Sequence, residues 1–265
     1  MGPTPRSAPS ARSGPRPLPA VAAFVLAAIV AITGCASTPG DPLEPVNRRI
    51  HTFNETVDRT IARPVAEAYD EYTPRPVNRG VSNFFSNLDD VVVLVNSTAQ
   101  LRGDDAAATF YRLVLNTTVG LFGLFDPADA TGQPKRRADF GQTLARYGTP
   151  SGPYLVLPFL GPSNMRDAPS RYVDARLNPQ YQLDDVSLRY QLTLLDAVDT
   201  RASLLGASFM FEAAATDSYA FMRDAWSARR ADRVYHGDPP PGAVPGYEDD
   251  DFDPFDDEGD EDLFD

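Results

Sequence analysis

Apolar residues in this chain fall into short helical runs that prolines interrupt. The first run has spacings of four, three, four and four residues, and its members are Val46, Ile50, Phe53, Val57 and Ile61. This spacing places all five on one face of an amphipathic helix. Pro64 is predicted to end the helix, since proline lacks an amide proton and disfavours helix in the residue before it. The pattern predicts an all-α fold of short amphipathic helices.

Further helices are predicted over residues 65–72, 77–88, 104–118, 166–177, 184–205 and 216–233. Residues 91–95 are less clear, because five consecutive apolar residues, four of them valine, also suit a buried strand. The preceding pair Asp89-Asp90 would suit the positive end of a helix dipole. We therefore favour a helix that begins at these two aspartates.

Glycine and proline are dense between Tyr147 and Pro162, around a short apolar centre. Glycine and proline at this density break helices, and the centre is too short for a core helix. We predict one hairpin-like or extended element here, exposed on one side.

The first 34 residues have the three parts of an export signal. Residues 1–19 contain three arginines and no acidic residue, and residues 21–32 are uniformly apolar. Twelve apolar residues are too few to span a bilayer, which needs about 20. Residues 1–34 are therefore predicted to be a lipoprotein signal peptide that is removed.

Cys35 is the only cysteine, and it follows Ile32-Thr33-Gly34 in a sequence that resembles a lipobox. We predict that Cys35 carries a covalent diacylglyceryl group and an N-acyl chain, and that no other cofactor is present. Residues 35–40 would be a tether. Ala36 and Ser37 lack the aspartate that retains enterobacterial lipoproteins at the inner membrane, so the outer membrane is the predicted location, with the lipid anchor on its periplasmic side.

The negative charge is concentrated after the helical part. The formal net charge is −13, and residues 236–265 contain 13 acidic residues and no lysine or arginine. We predict a single helical domain over residues 41–236 and a disordered acidic tail over 237–265. The domain is nearly balanced in charge and has no basic stripe, which excludes nucleic acid as a partner.

Catalytic patterns are missing from the sequence. His51 and His236 are far apart, without the cysteine spacing of a zinc site, and no nucleophile elbow or phosphate-binding glycine loop occurs. Three acidic pairs, Asp89-Asp90, Asp104-Asp105 and Asp184-Asp185, are interpreted as helix starts rather than as acid–base pairs. The chain is predicted to be a binding or transport protein and not an enzyme.

Many short matches, in order from Asp41 to Tyr235, resemble the MlaA (VacJ) family of outer-membrane lipoproteins. They include Asp41-Pro42-Leu43-Glu44, Asn47-Arg48, Phe53-Asn54, Arg63-Pro64-Val65-Ala66, Tyr72-Thr73-Pro74, Asp139-Phe140-Gly141-Gln142, Gly152-Pro153-Tyr154, Leu157-Pro158-Phe159, Arg166-Asp167, Asp199-Thr200-Arg201 and Asp217-Ser218-Tyr219. No single match is decisive, and the acidic tail departs from the family pattern.

The resemblance implies a ring-like single domain seated in the outer membrane, with an amphipathic channel for phospholipid. It implies removal of mislocalised phospholipids from the outer leaflet, transfer to a soluble periplasmic lipid carrier, and association with a trimeric outer-membrane porin. The result would be maintenance of outer-membrane lipid asymmetry. A structural lipoprotein that only stabilises a porin or envelope contact is the alternative. A lipid hydrolase is the third possibility, but the sequence shows no nucleophile with a base to activate it.

A phospholipid channel needs a polar wall for headgroups and an apolar exit for acyl chains. The hairpin-like segment contains aromatic, aliphatic and flexible residues together, and we predict that it lines or gates the path. It supplies Tyr147, Gly148, Gly152, Pro153, Tyr154, Leu155, Leu157, Pro158 and Phe159. Phe53 and Asn54 on the first helix are a second candidate. In both places the alternative is ordinary packing of the domain.

Overall fold

The computed structural model describes residues 41–208 and 216–237. These residues are mostly helical and contain one two-stranded hairpin, so the predicted all-α class with a single hairpin element is confirmed. The predicted signal peptide, the tether with Cys35, and all but the first residue of the predicted tail lie outside the described residues.

The helices are named here in chain order. They are α1 (Glu44–Val57), α2 (Arg63–Tyr72), α3 (Arg75–Ala99), α4 (Gly103–Thr118), α5 (Pro127–Ala130), α6 (Phe140–Arg146), α7 (Asp167–Leu177), α8 (Val186–Ser203) and α9 (Ser218–Tyr235). The strands are β1 (Tyr154–Leu157) and β2 (Gly161–Asn164), and a 3₁₀ turn spans Pro179–Gln182.

Aspartates begin four of the helices by accepting hydrogen bonds from free backbone N–H groups. Asp126 accepts from the Asp129 amide before α5. Asp139 accepts from the Gln142 amide before α6, and Asp185 accepts from Ser187 and Leu188 before α8. Asp217 does the same before α9. An N-cap of this kind contributes about 1 kcal/mol. The helix α6 was not predicted, although Asp139 followed by Gln142 has the spacing of a capping pair.

The helical path does not stop at Pro64, so the predicted end of the first helix is wrong. A π-helical turn at Asp58–Ala62 joins α1 to α2, and Pro64 lies in the first turn of α2. The Arg63 amide donates to the carbonyl of Asp58, five residues earlier. A π turn is wider than an α turn, so the proline ring and its missing donor can be accommodated without breaking the helix.

Residues 91–95 are helical, as predicted, but the helix does not begin at Asp89-Asp90. Both aspartates lie inside the 25-residue helix α3. Asp90 is completely buried, and Lys135 Nζ lies 2.6 Å from its Oδ1. The interpretation of this pair as a helix start is therefore wrong. It was misleading because the cation that pairs with Asp90 is 45 residues away in the sequence.

The packing buries many polar side chains and exposes many apolar ones. Helix α3 packs against α4 and α8, and α2 packs against α8. Buried polar residues in and near these helices include Asn87, Asp90, Asn96, Ser97, Gln100, Thr109, Arg112, Asn116 and Asp199. Large apolar residues that remain exposed include Phe110, Tyr111, Val114, Val119, Leu121, Phe122, Leu124 and Phe125 in and after α4, and Val186, Leu188, Tyr190 and Leu194 in α8.

The compact apolar cluster lies elsewhere, where the hairpin meets α1 and α9. Tyr154, Val156 and Tyr219 are buried in it, and Ile50 and Trp226 pack against them. Within residues 41–208 and 216–237, no helix combines the length and the apolar character needed to cross a membrane.

Candidate functional site

The hairpin has an ordered base and an exposed apolar tip. Its strands pair antiparallel, with Tyr154 opposite Asn164 and Leu157 opposite Gly161, which leaves a three-residue tip at 158–160. Phe159 adopts a left-handed conformation (φ 62°), as three-residue hairpin loops commonly require. The Phe159 and Leu160 side chains are 74% and 61% exposed.

Two asparagines on α1 hold the first strand. The Asn47 side chain donates to the carbonyl of Tyr154 (3.0 Å) and accepts from the amide of Val156 (2.9 Å). The Asn54 side chain repeats this pattern at the tip, where it donates to the carbonyl of Leu157 and accepts from the amide of Phe159, both at 2.9 Å. Each carboxamide satisfies a backbone donor and acceptor as a neighbouring strand would.

Arg171 holds the other side of the hairpin. From α7, its guanidinium donates to the carbonyls of Leu160 (2.9 Å) and Pro162 (2.7 Å). Burial lowers the pKa of Arg171 from its ordinary value, and the carboxylate of Asp167 opposes this effect. The Phe53 ring meets the Phe159 ring edge-on, with 5.2 Å between centroids. The backbone of the tip is therefore fixed by hydrogen bonds to the Asn54 and Arg171 side chains, while the apolar side chains of the tip stay exposed.

We expect Asn54→Ala to loosen the tip without unfolding the domain, because Asn54 is only half-buried and Asn47 still holds the base. Loss of a hydrogen bond costs about 0.5–1.5 kcal/mol of stability. The Phe159 amide should therefore exchange its hydrogen up to about tenfold faster. Hydrogen exchange over residues 154–164 measures this. Thr56→Ala is the matched control, since the Thr56 hydroxyl donates to the Thr52 carbonyl within its own helix and not to the hairpin. Equal exchange of the Phe159 amide in the two variants would show that Asn54 does not hold the tip.

The structure places the predicted lipid-path residues in three different environments. Tyr154 is buried in the apolar cluster, and Leu155 and Leu157 are half-buried. Pro153 and Pro158 are exposed, as is Tyr147, whose hydroxyl donates to the carbonyl of Ala99. Gly148 and Gly152 have positive φ and line an open cleft at the base of the hairpin. Whether these residues contact lipid stays a prediction.

Two adjoining clefts lie beside the hairpin and α9. The hairpin-base cleft is bordered by Gly148, Gly152, Tyr154, Arg166 and Tyr235, and has a volume of about 230 Å³. The arginine cleft is lined by Ser170, Arg171, Asp174, Arg229 and Arg233. Both clefts share Trp226 and Arg230 in their walls.

Arg230 is the cation that joins three elements beneath these clefts. Its Nη1 and Nη2 lie 2.5 and 2.8 Å from the carboxylate of Asp139, and its Nε lies 2.7 Å from Asp167 Oδ2. Burial opposes ionisation of Asp139, but the hydrogen bonds from Arg230 outweigh it and lower the Asp139 pKa. A Cβ at Gly141 would lie 2.3 Å from Asp167 Oδ1, so only glycine fits against this ion pair. Helices α6, α7 and α9 are thus held together by charge.

Asp174 lies in the wall of the arginine cleft, and its pKa is shifted in the opposite direction from that of Asp139. Its carboxylate accepts from the Asn96 side chain and from the Phe140 amide. Burial raises the pKa of Asp174 to about 6, and the nearby Asp139 carboxylate adds to the shift.

Sequence reasoning did not identify Asn47, Arg171 or Arg230 as parts of this region. Asn47 and Asn54 are seven residues apart on one helix, a spacing that puts them on one face and could have suggested a paired role. Arg171 and Arg230 bear no local signal, since their partners are distant in the chain. His51, which has no zinc-site spacing in the sequence, is buried with Nε2 3.1 Å from Ser218 Oγ.

Comparison with known proteins decides the family. The model of the MlaA lipoprotein family matches residues 39–233. The chain belongs to this family. An MlaA relative from Shigella flexneri, an intermembrane phospholipid transport system lipoprotein, is 35% identical over 208 residues, covering 75% of this chain and 82% of the relative. The Escherichia coli K12 protein of the same name is 34% identical with the same coverage.

A solved MlaA-like structure matches the fold as well. It comes from work on the structural basis for maintenance of bacterial outer membrane lipid asymmetry, and it superposes with a TM-score of 0.64 at 32% identity. The match covers 75% of this chain and 99% of that one. The resemblance to the MlaA family drawn from short motifs is confirmed.

Proposed function

We propose that this chain is a lipoprotein of intermembrane phospholipid transport that acts at the outer membrane and maintains its lipid asymmetry. Membership of the MlaA family supports this, as do the transport-system names of the Shigella and Escherichia relatives. The proposal assigns binding and movement of phospholipid to the folded domain, without chemical change to the lipid.

The observation that carries the proposal is the reversed distribution of polarity. Polar side chains such as Asn96 and Arg112 are buried, while large apolar residues such as Phe122 and Phe159 are exposed. In water, extensive exposed apolar surface marks a site of membrane or protein contact. Against lipid, an apolar exterior is favourable and backbone groups must be satisfied internally, as short helices achieve.

The hairpin tip is proposed to gate the lipid path. Phe159 and Leu160 offer an apolar surface to acyl chains, and the Asn54 and Arg171 contacts keep that surface outward. The clefts below contain arginines that suit a phosphate headgroup. Phe53, in contact with Phe159, and the hairpin residues predicted from the sequence belong to this proposed path.

Direction and partners complete the proposal. Phospholipids that are misplaced in the outer leaflet would be removed and passed to a soluble periplasmic lipid carrier, and a trimeric porin would contact part of the exposed apolar surface. The exposed apolar residues of α4 and α8 are the surface that we assign to such a contact. A purely structural lipoprotein would use the same faces, so the measurement of transfer separates the two functions.

Transfer and lipid content test the proposal directly. The full mature protein, purified in detergent, should co-purify with intact phospholipid by mass spectrometry. Deletion of the gene should stop transfer of outer-leaflet phospholipid to the carrier. Unchanged transfer after deletion would favour the structural alternative, and release of lysophospholipid by the purified protein would contradict a role without catalysis.

Cys35 is proposed to carry the lipid that anchors the domain. We expect Cys35→Ala to remain unprocessed and to fractionate away from the outer membrane, because each lost methylene removes about 0.8 kcal/mol of membrane affinity. Membrane fractionation with mass measurement of the N-terminus tests this. Ser37→Ala, two residues further on, is the matched control and should be lipidated normally. Outer-membrane recovery of the Cys35→Ala protein at the control level would exclude the anchor.

A further inference from the structure

The arginine cleft is lined by four arginines and by three aspartates, so its positive charge is in excess by one; the arginines are Arg171, Arg229, Arg230 and Arg233, and the aspartates are Asp139, Asp167 and Asp174. Asp139 and Asp167 are paired with Arg230, and Asp167 is also paired with Arg166. Arg229 and Arg233 line the same cleft and have no ion pair or hydrogen bond to any residue within 41–208 and 216–237. Arg229 is exposed and Arg233 is half-buried.

Other cations add to the positive charge around the arginine cleft. Burial lowers the pKa of Arg233, and the positive charges of Arg229, Arg137 and Arg230 lower it further. At the end of the same helix, burial and the charge of Arg102 lower the pKa of His236. Around Arg233, the three neighbouring cations outnumber the one carboxylate that opposes them, Asp139.

The chain reverses direction where α9 ends. His236 and Gly237 both have positive φ (60° and 89°), and the Gly237 amide donates to the carbonyl of Asp232. This hydrogen bond, from the second residue after the helix to a residue of its last turn, is the Schellman C-cap, which turns the chain away from the helix axis. At Gly237 the backbone has thus turned off the helix axis.

The sequence after this turn is complementary to the cleft. Residues 238–265 contain 13 acidic residues, no basic residue, and the aromatic residues Tyr247, Phe252, Phe255 and Phe264. Twelve of the acidic residues lie between 248 and 265. The cleft contains free guanidinium groups and the indole of Trp226, so it matches this segment both in charge and in aromatic character.

We propose that the acidic segment 248–265 docks on the arginine cleft of its own chain, with carboxylates on Arg229 and Arg233 and an aromatic ring against Trp226. The linker 238–247 is long enough, since ten residues rich in proline extend about 31 Å. Arg229 is six residues before the end of α9, about 9 Å along the helix. Tethering adds an effective concentration in the millimolar range.

Docking there would place the segment beside the hairpin support. Arg171 lines the same cleft and holds the carbonyls of Leu160 and Pro162. The docked segment would cover the arginines and exclude other anions from them. This interaction does not depend on the proposed transport function, because it involves only residues of the chain itself.

Trp226 is the only tryptophan of the chain and lies in the wall that the arginine cleft shares with the hairpin-base cleft, so its fluorescence reports on whether this wall is covered. The experiment measures acrylamide quenching of its fluorescence in the full mature protein, in zwitterionic detergent without phospholipid. We expect the quenching constant to about double between 20 mM and 0.5 M NaCl, as salt screens the carboxylate–guanidinium attraction and releases the segment.

Two variants and one control make the test specific. Arg229→Glu with Arg233→Glu should give the high quenching constant at both salt concentrations. Changing all twelve acidic residues between 248 and 265 to the matching amides (Asp→Asn, Glu→Gln) should do the same while leaving the cleft intact. A folding defect of the first variant therefore cannot account for both results. Arg49→Glu with Arg59→Glu, two exposed arginines on α1 and the π turn after it, should retain the salt effect.

A quenching constant that does not change with salt in the unaltered protein would overturn the proposal. Salt-dependent protection that persists in the amide variant would also overturn it, because an anionic group other than this segment would then occupy the cleft.

Discussion

Changing Phe159 and Leu160 together to Asp is expected to reduce clearance of outer-leaflet phospholipid at least tenfold. A carboxylate among acyl chains costs about 2.5–3.5 kcal/mol, and two adjacent carboxylates would replace the apolar tip with a charged one. The change should not disturb folding, because both side chains are exposed. Aspartate also tolerates the left-handed conformation at position 159 better than most residues do.

The measurement is the amount of phospholipid that an added phospholipase can cleave on cells that produce only the variant. Phe159→Leu with Leu160→Phe is the matched control, since it keeps the apolar surface at the same two positions. We expect the control to clear phospholipid at close to the normal rate. Normal clearance by the double Asp variant, at equal protein level, would remove the hairpin tip from the lipid path.

Replacing Arg230 with Ala is expected to cause the largest loss of stability, about 3 kcal/mol at pH 7. The variant leaves Asp139 without its bidentate partner, and it leaves the buried carboxylate of Asp167 with one paired cation, Arg166. Removal of one member of a buried ion pair typically costs 3–5 kcal/mol, and partial exposure of Asp139 reduces the effect toward the lower value. Urea unfolding in detergent measures the change.

The pH dependence of this loss identifies its cause. Because the folded pKa of Asp139 is lowered, the stabilisation by Arg230 is complete above the ordinary aspartate pKa and is lost as the pH falls toward the folded value. The difference between the two proteins should therefore be full at pH 5–7 and smaller below about pH 4. Arg229→Ala, the adjacent exposed residue, should cost less than about 0.5 kcal/mol. A loss that is the same at pH 3 and pH 7 would point to packing instead of charge.

Local features were predictable from the sequence. The helical periodicity predicted α1, α4, α7, α8 and α9 to within a few residues. Aspartates at the N-cap or in the first turn marked the starts of α4, α7, α8 and α9. Glycine and proline around residues 154–164 predicted the hairpin, since a helix cannot form through that segment. The helix over 91–95 was predicted from the residues that flank it.

Features set by partners that are distant in the sequence were not predictable. Asp89-Asp90 has the composition of a helix start, yet Asp90 lies in the middle of α3, where Lys135 and Arg112 compensate its charge. The apolar face of α1 was expected to be either core-facing or on the lipid path. In the structure its Asn47 and His51 are buried, whereas Phe53 and Ile61 are 44% and 61% exposed. Polar residues are buried in this fold, so hydrophobic patterning alone does not identify the interior.

The spacing of the two asparagines on α1 matches the spacing of the backbone groups that they bind in the hairpin. Seven residues of helix advance about 10.5 Å, which is two turns. The contacted backbone advances by three residues, from Tyr154 and Val156 to Leu157 and Phe159, which is about 10 Å in a strand. The two lengths agree, so both carboxamides can be in register at once. Inserting or deleting one residue between Asn47 and Asn54 would turn one carboxamide about 100° away from the hairpin. The lengths of α1 and of the first hairpin strand are therefore coupled.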